Sequence, residues 1–237
     1  MSVLSVVQDV TARLGIPAPA AVVGNPDQQI QQLQGLLQQI GEELTVECRW
    51  QTLRRSAQWA SLAAESQGAI TTRATPGGFK AIVNGTFWDL TLRRPVFGPI
   101  SDEDWQMLKA FQPGGPVYQY RIAADLILIN PVPPAGNQFS FIWETSWWVG
   151  NASGVPVGAA FTADSQQSLL PEDMMKIGLL AYWRRTKGLP YADDLETFNM
   201  MVDKYKMRDG TKQQLSLDQP SQRLVPGIFV PAGNWPT

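Results

Sequence analysis

The chain contains no histidine. That excludes the Ser/His/Asp and Cys/His arrangements of nucleophilic catalysis and every His-ligated metal site. It contains one cysteine, Cys48, so an intrachain disulfide is impossible and a reducing compartment is the simplest expectation. Charge is also scarce: 17% of residues are charged, and 19 basic against 21 acidic side chains leave a net charge of −2. A protein that binds nucleic acid by neutralising phosphates needs a basic surplus, and none exists here. No apolar run approaches the ~20 residues of a membrane-spanning helix. The opening MSVLSVVQDVTARLG has no early basic residue and no long apolar core, so a secretory signal is not expected. The Asn84-Gly85-Thr86 and Asn151-Ala152-Ser153 acceptor patterns therefore carry no expectation of glycosylation.

What the chain has in quantity is tryptophan, nine residues, with 18 prolines and 20 glycines. Tryptophan suits places where one edge is buried and the other meets water or a partner. At 237 residues there is enough chain for one or two domains with a real core.

Hydrophobic spacing divides the chain. Val3, Val7, Val10 and Leu14 fall on one helical face, with Ser2 as a cap and Gly15 as a stop. After the proline-broken IPAPAAVVGN, Asn25-Pro26 reads as N-cap and first helical residue. A second helix follows, with Ile30, Leu33, Leu37, Ile40 and Leu44 on its apolar stripe and glutamine over much of the rest. From about residue 50 the pattern becomes short runs rich in Thr and aromatics with Gly/Pro punctuation, the grammar of strands. One short helix is expected near 102–111. VYQYRI and LILINP, separated by Ala-Ala-Asp, predict a hairpin, and QFSFIWETSWWV alternates Phe139, Phe141 and Trp143. Helical spacing returns in LLPEDMMKIGLLAYWRR, with Pro171 at the first position. A last helix keeps Tyr191, Leu195, Phe198, Val202 and Tyr205 on one face.

These readings predict an α+β fold: an antiparallel helical bundle from the N- and C-terminal helices, an inserted β-rich domain and an extended C-terminal tail. The expected divisions are 1–49 and 164–210 for the bundle, 50–163 for the β-rich domain and 211–237 for the tail.

Candidate sites point to holding rather than reacting. Asp102-Glu103-Asp104 follows Ser101 and reads as the capped, acidic first turn of a helix; a two-carboxylate hydrolase would need a second, spaced acid in a cleft. Cys48 has no base near it in sequence. Thr75-Pro76-Gly77-Gly78 lacks the Lys-Ser/Thr of a phosphate loop and reads as a turn. No catalytic residue, metal site or cofactor is expected. Arg93, Arg94, Trp147 and Trp148 are candidate intersubunit contacts, since arginine suits interface ion pairs and aromatic strands form core or interface. Trp88, Trp143, Trp147 and Trp148 could alternatively form a sugar-stacking platform. The tail carries Leu224, Val225, Ile228, Phe229, Val230 and Trp235 on a proline-stiffened strip, suited either to a groove or the sheet edge of a partner or neighbour or to docking on its own domain.

Several stretches taken together resemble the head-to-tail adaptor proteins of tailed bacteriophages, also called tail tubular protein A in some short-tailed phages. They are LSVVQDVTARLGIPAP, GEELTVECRWQTLRR, NGTFWDLTLRRPVFGPISDEDWQMLKAF, GPVYQYRI, LILINPVPPAGNQFSFIW and LLAYWRRTKGLPYADDLETFNMMVDK, in family order over residues 1–208. The central stretch is the most specific, and the resemblance does not extend to the tail. It implies a structural virion protein and not an enzyme. Such proteins form a ring, typically twelve-fold, at the head–tail junction, assembled from subunits made in the host cytoplasm. The implied partners are the portal protein, a tail, nozzle or tube protein and further copies of the chain. DNA would pass through without specific binding, and no membrane is involved. Separately from the resemblance, the apolar, proline-rich strip motivates the expectation that residues 211–237 dock on a neighbouring subunit or the portal.

Overall fold

A computed structural model of the protein describes residues 2–111 and 117–209. The fold is α+β, with two hydrophobic cores. Six helices are described: α1 (Val3–Leu14), α2 (Gln28–Glu47), the one-turn α3 (Ile70–Arg73), α4 (Asp102–Phe111), α5 (Glu172–Thr186) and α6 (Ala192–Asp209).

The first core joins both ends of the chain. Val3, Val7 and Val10 of α1 and Ile30, Leu33, Leu37, Ile40 and Leu44 of α2 are buried with Phe198 and Val202 of α6. Between them lies α5, which touches α1, α2 and α6. Its Met174, Met175, Gly178, Leu179, Leu180, Ala181 and Trp183 are buried. That set covers more than one stripe, as a helix enclosed by neighbours requires. Helix α1 starts at Ser2, whose hydroxyl accepts from the Ser5 N–H, and stops at Gly15 in the left-handed region, as its sequence predicts. The expected start of α2 is displaced. Asp27 is the cap and accepts from Gln29 N–H at 2.8 Å, while Asn25 Oδ1 accepts from Asp27 N–H at 2.9 Å. Two successive side-chain turns thus hold Pro26 outside the helix, where sequence placed it at the first helical position. Pro171 is likewise the cap of α5 and not its first residue.

The second core lies in the β unit. An eight-stranded sheet runs β1 (Arg54–Ala60), β8 (Gln138–Thr145), β4 (Trp88–Asp89), β5 (Arg94–Phe97), β6 (Tyr118–Ala123), β7 (Leu126–Asn130), β2 (Ser66–Ala69), with β3 (Phe79–Ile82) also paired to β8. Every pairing is antiparallel except β5 with β6. The predicted hairpin is present: Ala124 and Asp125, both at positive φ, turn β6 into β7. A two-residue turn of that hand matches the right-handed twist of its strands. Phe139, Phe141 and Trp143 face inward from β8, packed with Trp59, Phe87, Tyr118 and Tyr120. Phe87 alone meets Tyr120, Phe139 and Phe141 at 4.9 to 5.7 Å between ring centres, within the range of favourable tilted and edge contacts.

The chain between residues 50 and 163 supplies both cores. Trp50 and Leu53, then Trp148, Val149 and Phe161, belong to the helical one. A small sheet, β9 (Val149–Gly150) between β10 (Pro156–Gly158) and β11 (Gln167–Ser168), leads back into α5. The tail expected over 211–237, with Leu224, Val225, Ile228, Phe229, Val230 and Trp235, lies outside the described residues.

Candidate functional site

Asp89 builds the most distinctive surface of the β unit. It is fully buried. One carboxylate oxygen accepts from the N–H groups of Thr91 and Leu92 at 2.9 and 3.0 Å, and the other accepts from Asn137 Nδ2 at 2.8 Å. Thr91 Oγ1 in turn accepts from Gln138 N–H, and Leu90 N–H donates to the Gln138 carbonyl. The turn joining β4 to β5 is therefore fastened to the start of β8.

On that fastened turn, Leu90 and Leu92 are 47% and 43% exposed. Arg93 is exposed and left-handed, with φ 55°. Its side chain makes no hydrogen bond or ion pair among the described residues. A residue with a Cβ is strained by roughly 1 kcal/mol or more in that region, and the hydrogen bonds that Asp89 makes to the turn hold it there. Arg94 is exposed at the start of β5, paired across the strands with Asp89. Phe97 at the end of β5 and Ile142 on β8 add exposed apolar surface to the same unit.

The other two candidate contact residues separate. Trp147 is half-buried and belongs to the β unit, with its ring against Gly77 and Gly78. A Cβ built on either glycine would come within 2.5 Å of the ring. Trp148 has no exposed surface and sits in the helical core, edge-on to Phe161 at 5.0 Å and against Gly41 of α2. It presents nothing to a neighbour, and the expectation that it is a contact is corrected: beyond β8 the chain crosses to the helical core, and Trp148 is buried there with Val149. No tryptophan among the described residues is exposed.

The acidic cluster is structural. Asp104 N–H donates to Ser101 Oγ, whose hydroxyl donates back to Asp104 Oδ2 at 2.8 Å. Asp102 pairs with Arg121 of β6 at 2.9 Å, so the first turn of α4 is fixed to the sheet. Cys48 is buried, and desolvation raises its thiol above the ordinary value, with Lys206 opposing. It stays a neutral thiol at physiological pH. Arg184 is held by Asp194 at 2.5 Å, which ties α5 to α6. No group of three or more acidic or cysteine side chains among the described residues can hold a metal ion. No helix among them is long and apolar enough to cross a membrane.

A second feature lies where the two units meet. A cleft of about 290 Å³ has an apolar lining of Phe79, Ala81, Ile82, Pro99 and Ile122. Arg49, Lys80 and Glu144 stand at its sides. Lys80 Nζ donates to the Thr45 carbonyl at the end of α2, and Glu144 lies 4.0 Å from Arg54. The described chain ends beside it. Asp209 accepts from the Gln51 N–H at 2.6 Å, and Gln51 Nε2 donates to the Asp209 carbonyl.

Sequence reading singled out Arg93 and Arg94 but missed Asp89, Leu90 and Leu92. The signal was present: an Asp followed by a turn is a residue able to accept its own downstream N–H groups. The cleft left no such signal, because it gathers residues 49, 79–82 with 84, 99, 122 and 144 from five separate places in the chain. No family model matches the chain, and no curated protein matches it.

Proposed function

We propose that this chain is a structural subunit of a tailed-bacteriophage particle: a head-to-tail adaptor whose copies form a ring, twelve in number by the family pattern, between the portal and the tail. The ring would extend the DNA channel and give the tail, nozzle or tube protein a platform. The observation that carries this reading is the β4–β5 turn. Two exposed leucines and a strained, unbonded Arg93 are held rigidly by a buried aspartate. Backbone strain that its surroundings hold in place clusters at functional sites, and here it stands at an exposed tip. A rigid apolar-and-basic tip suits a permanent protein contact, which buries ~2,000 Å² or more and leaves little to ordering costs.

Two further features agree. A ring of this kind closes through two different patches on each subunit, and the tip and the cleft are different patches near opposite ends of β8. The near-neutral charge suits a channel that lets DNA pass, because a wall that neutralised phosphates would bind it in a salt-dependent way. The competing reading, a sugar-binding or receptor-binding tail component, needs exposed ring faces. Trp59, Trp143 and Trp148 are buried, and Trp88 and Trp147 are half-buried, so that reading lacks a platform.

The test is to image the portal vertex of purified particles at a resolution that traces this chain. A ring of copies between portal and tail is the expected result. A chain at the distal tip, or absent from particles, overturns the adaptor reading.

A further inference from the structure

The cleft has the shape of a missing strand. β3 is hydrogen-bonded to β8 alone among the described residues. All four of its residues, Phe79 to Ile82, line the cleft. Successive side chains of a strand point to opposite faces, so a cleft touched by all four runs along the strand's edge. Ile122 of β6 and Pro99 also line it. An unpaired edge beside an apolar slot accepts an extended segment, which gains main-chain hydrogen bonds along the edge and pockets for its side chains.

The geometry points to one occupant: the C-terminal segment around Ile228-Phe229-Val230, supplied by a neighbouring copy of the chain. Its sequence, LVPGIFVP over 224–231, carries no charge, so it adds none beside Arg49, Lys80 and Glu144, of which Lys80 and Glu144 already have partners within their own chain. Three β-prone residues stand between Gly227 and Pro231. Proline cannot donate to a ladder and so bounds a short strand, and a three-residue strand matches the four residues of β3. The cleft volume is on the scale of one or two large side chains.

The exit point and the length of the link decide between the chain's own segment and a neighbour's. Asp209 is bonded to Gln51, two residues from Arg49 on the cleft rim, within about 7 Å along an extended chain. Residues 210–227 then offer a link of up to ~60 Å. Connections longer than ~12–15 residues are uncommon inside one compact unit. A reach that far exceeds the chain's own cleft fits the cleft of the next copy. Each subunit would thereby give one arm and receive one, a heterologous contact that closes in a ring. The inference rests on the ring reading only for the order of the copies.

The test uses the full-length protein with Cys48→Ala, carrying Ala81→Cys together with a cysteine at 228, 229 or 230 in three separate variants. Neighbouring strands bring some such pair within the Cα separation a disulfide allows. Mild oxidation should give a ladder of chains linked in at least one variant, resolved on a non-reducing gel, and no ladder when either cysteine of the pair is omitted. An internal link within single chains overturns exchange between copies. No link in any of the three variants overturns the docking itself. Imaging separates this from the adaptor reading: a traced ring with the slot beside β3 empty leaves the ring and removes the arm. Linked chains from a protein absent at the portal vertex do the reverse.

Discussion

The two cores are built by different means. The helical core is mainly aliphatic and draws on residues that stand far apart in sequence. Its surface is stitched by polar contacts between the front and back of the chain: Lys176 of α5 to Asp9 of α1, Tyr182 to Glu43, Lys187 to Gln32, Lys206 to Glu47. The β core is a cluster of rings from one continuous stretch, with Trp59, Phe87, Tyr118, Tyr120, Phe139 and Phe141 in edge or tilted contact. The helical unit therefore depends on both chain ends arriving, whereas the β unit can close on itself. A fold arranged this way can present a self-sufficient β unit to a partner while the helices keep the subunit whole.

The sharpest way to break that comparison lies in two adjacent residues. Trp147 serves the β unit and Trp148 the helical one. Trp148→Ala empties a fully buried ring site against Gly41 and Phe161 and should cost about 3–5 kcal/mol, the range for deleting a large buried aromatic. Trp147→Ala removes a half-buried ring over Gly77-Gly78 and should cost about 1–2 kcal/mol. Urea unfolding measures both. A single transition shifted as a whole by either variant would mean that the two units unfold as one and that the division is geometric only.

Alkaline titration sharpens the contrast next. Burial pushes the Tyr120 hydroxyl up to about 12, and burial with the hydrogen bond to Glu43 pushes Tyr182 up to about 12. Hydrogen bonds to Asp9 and Glu172 raise Lys176. Each group holds its proton more tightly folded than unfolded, so its contribution is whole below the unfolded value near ~10 and is lost as pH rises through the folded one. Tyr120 alone should account for about 2–3 kcal/mol lost between roughly pH 10 and 12. Tyr120→Phe should flatten that part of the decline in urea midpoints taken from pH 8 to 12. An unchanged slope would remove Tyr120 as its source.

A smaller effect belongs to the joint between chain halves. Asp164 Oδ1 accepts from the N–H groups of Val22 and Val23 at 3.0 and 2.8 Å, pinning the loop between α1 and α2 to the segment that enters α5. Asp164→Ala leaves two donors without that acceptor and should cost about 1–3 kcal/mol. Asp164→Asn, which keeps an acceptor oxygen, should recover part of it. An Asp164→Ala melting temperature equal to that of the unaltered protein would show that water replaces the carboxylate fully.

Sequence periodicity carried the stripes of α1 and α2 well and that of α6 less so, where Phe198 and Val202 are buried but Tyr191 is exposed and precedes the helix. Val3, Val7, Val10 and the Ile30-to-Leu44 series are buried as their spacing requires, because a helix repeats its burial every 3.6 residues whatever it packs on. It read the hairpin and the inward row of β8 for the same reason, with a period of two. It did not resolve Trp148, because a run of aromatic residues past a strand end has no period and tertiary packing decides which ring enters which core. It erred by one or two residues at Asn25 and Pro171, where competing caps stand side by side. Arg93 was legible as an oddity of composition, but its strain was not, since φ at a turn is set by the bonds of Asp89. The cleft was invisible, being a property of five segments at once.

The smallest expected change in stability is the most informative about the tip. Arg93→Gly removes a side chain that bonds to nothing among the described residues and relieves a left-handed Cβ worth roughly 1 kcal/mol or more. Glycine's added freedom in the unfolded chain costs about 0.5–1 kcal/mol in return. The two offset, so the melting temperature of the isolated protein should move by no more than about 1–2 °C. If the tip is where copies or partners meet, incorporation into particles should fall sharply at that unchanged stability, with Arg93→Lys intermediate because it keeps charge but loses the planar fork. Quantifying the chain in purified particles by mass spectrometry reads the second effect, and calorimetry the first. Normal incorporation of Arg93→Gly would place the contact elsewhere on the β unit and leave Arg93 as strain without a use. A lowered melting temperature would instead give the arginine a part in folding that its exposed position does not suggest.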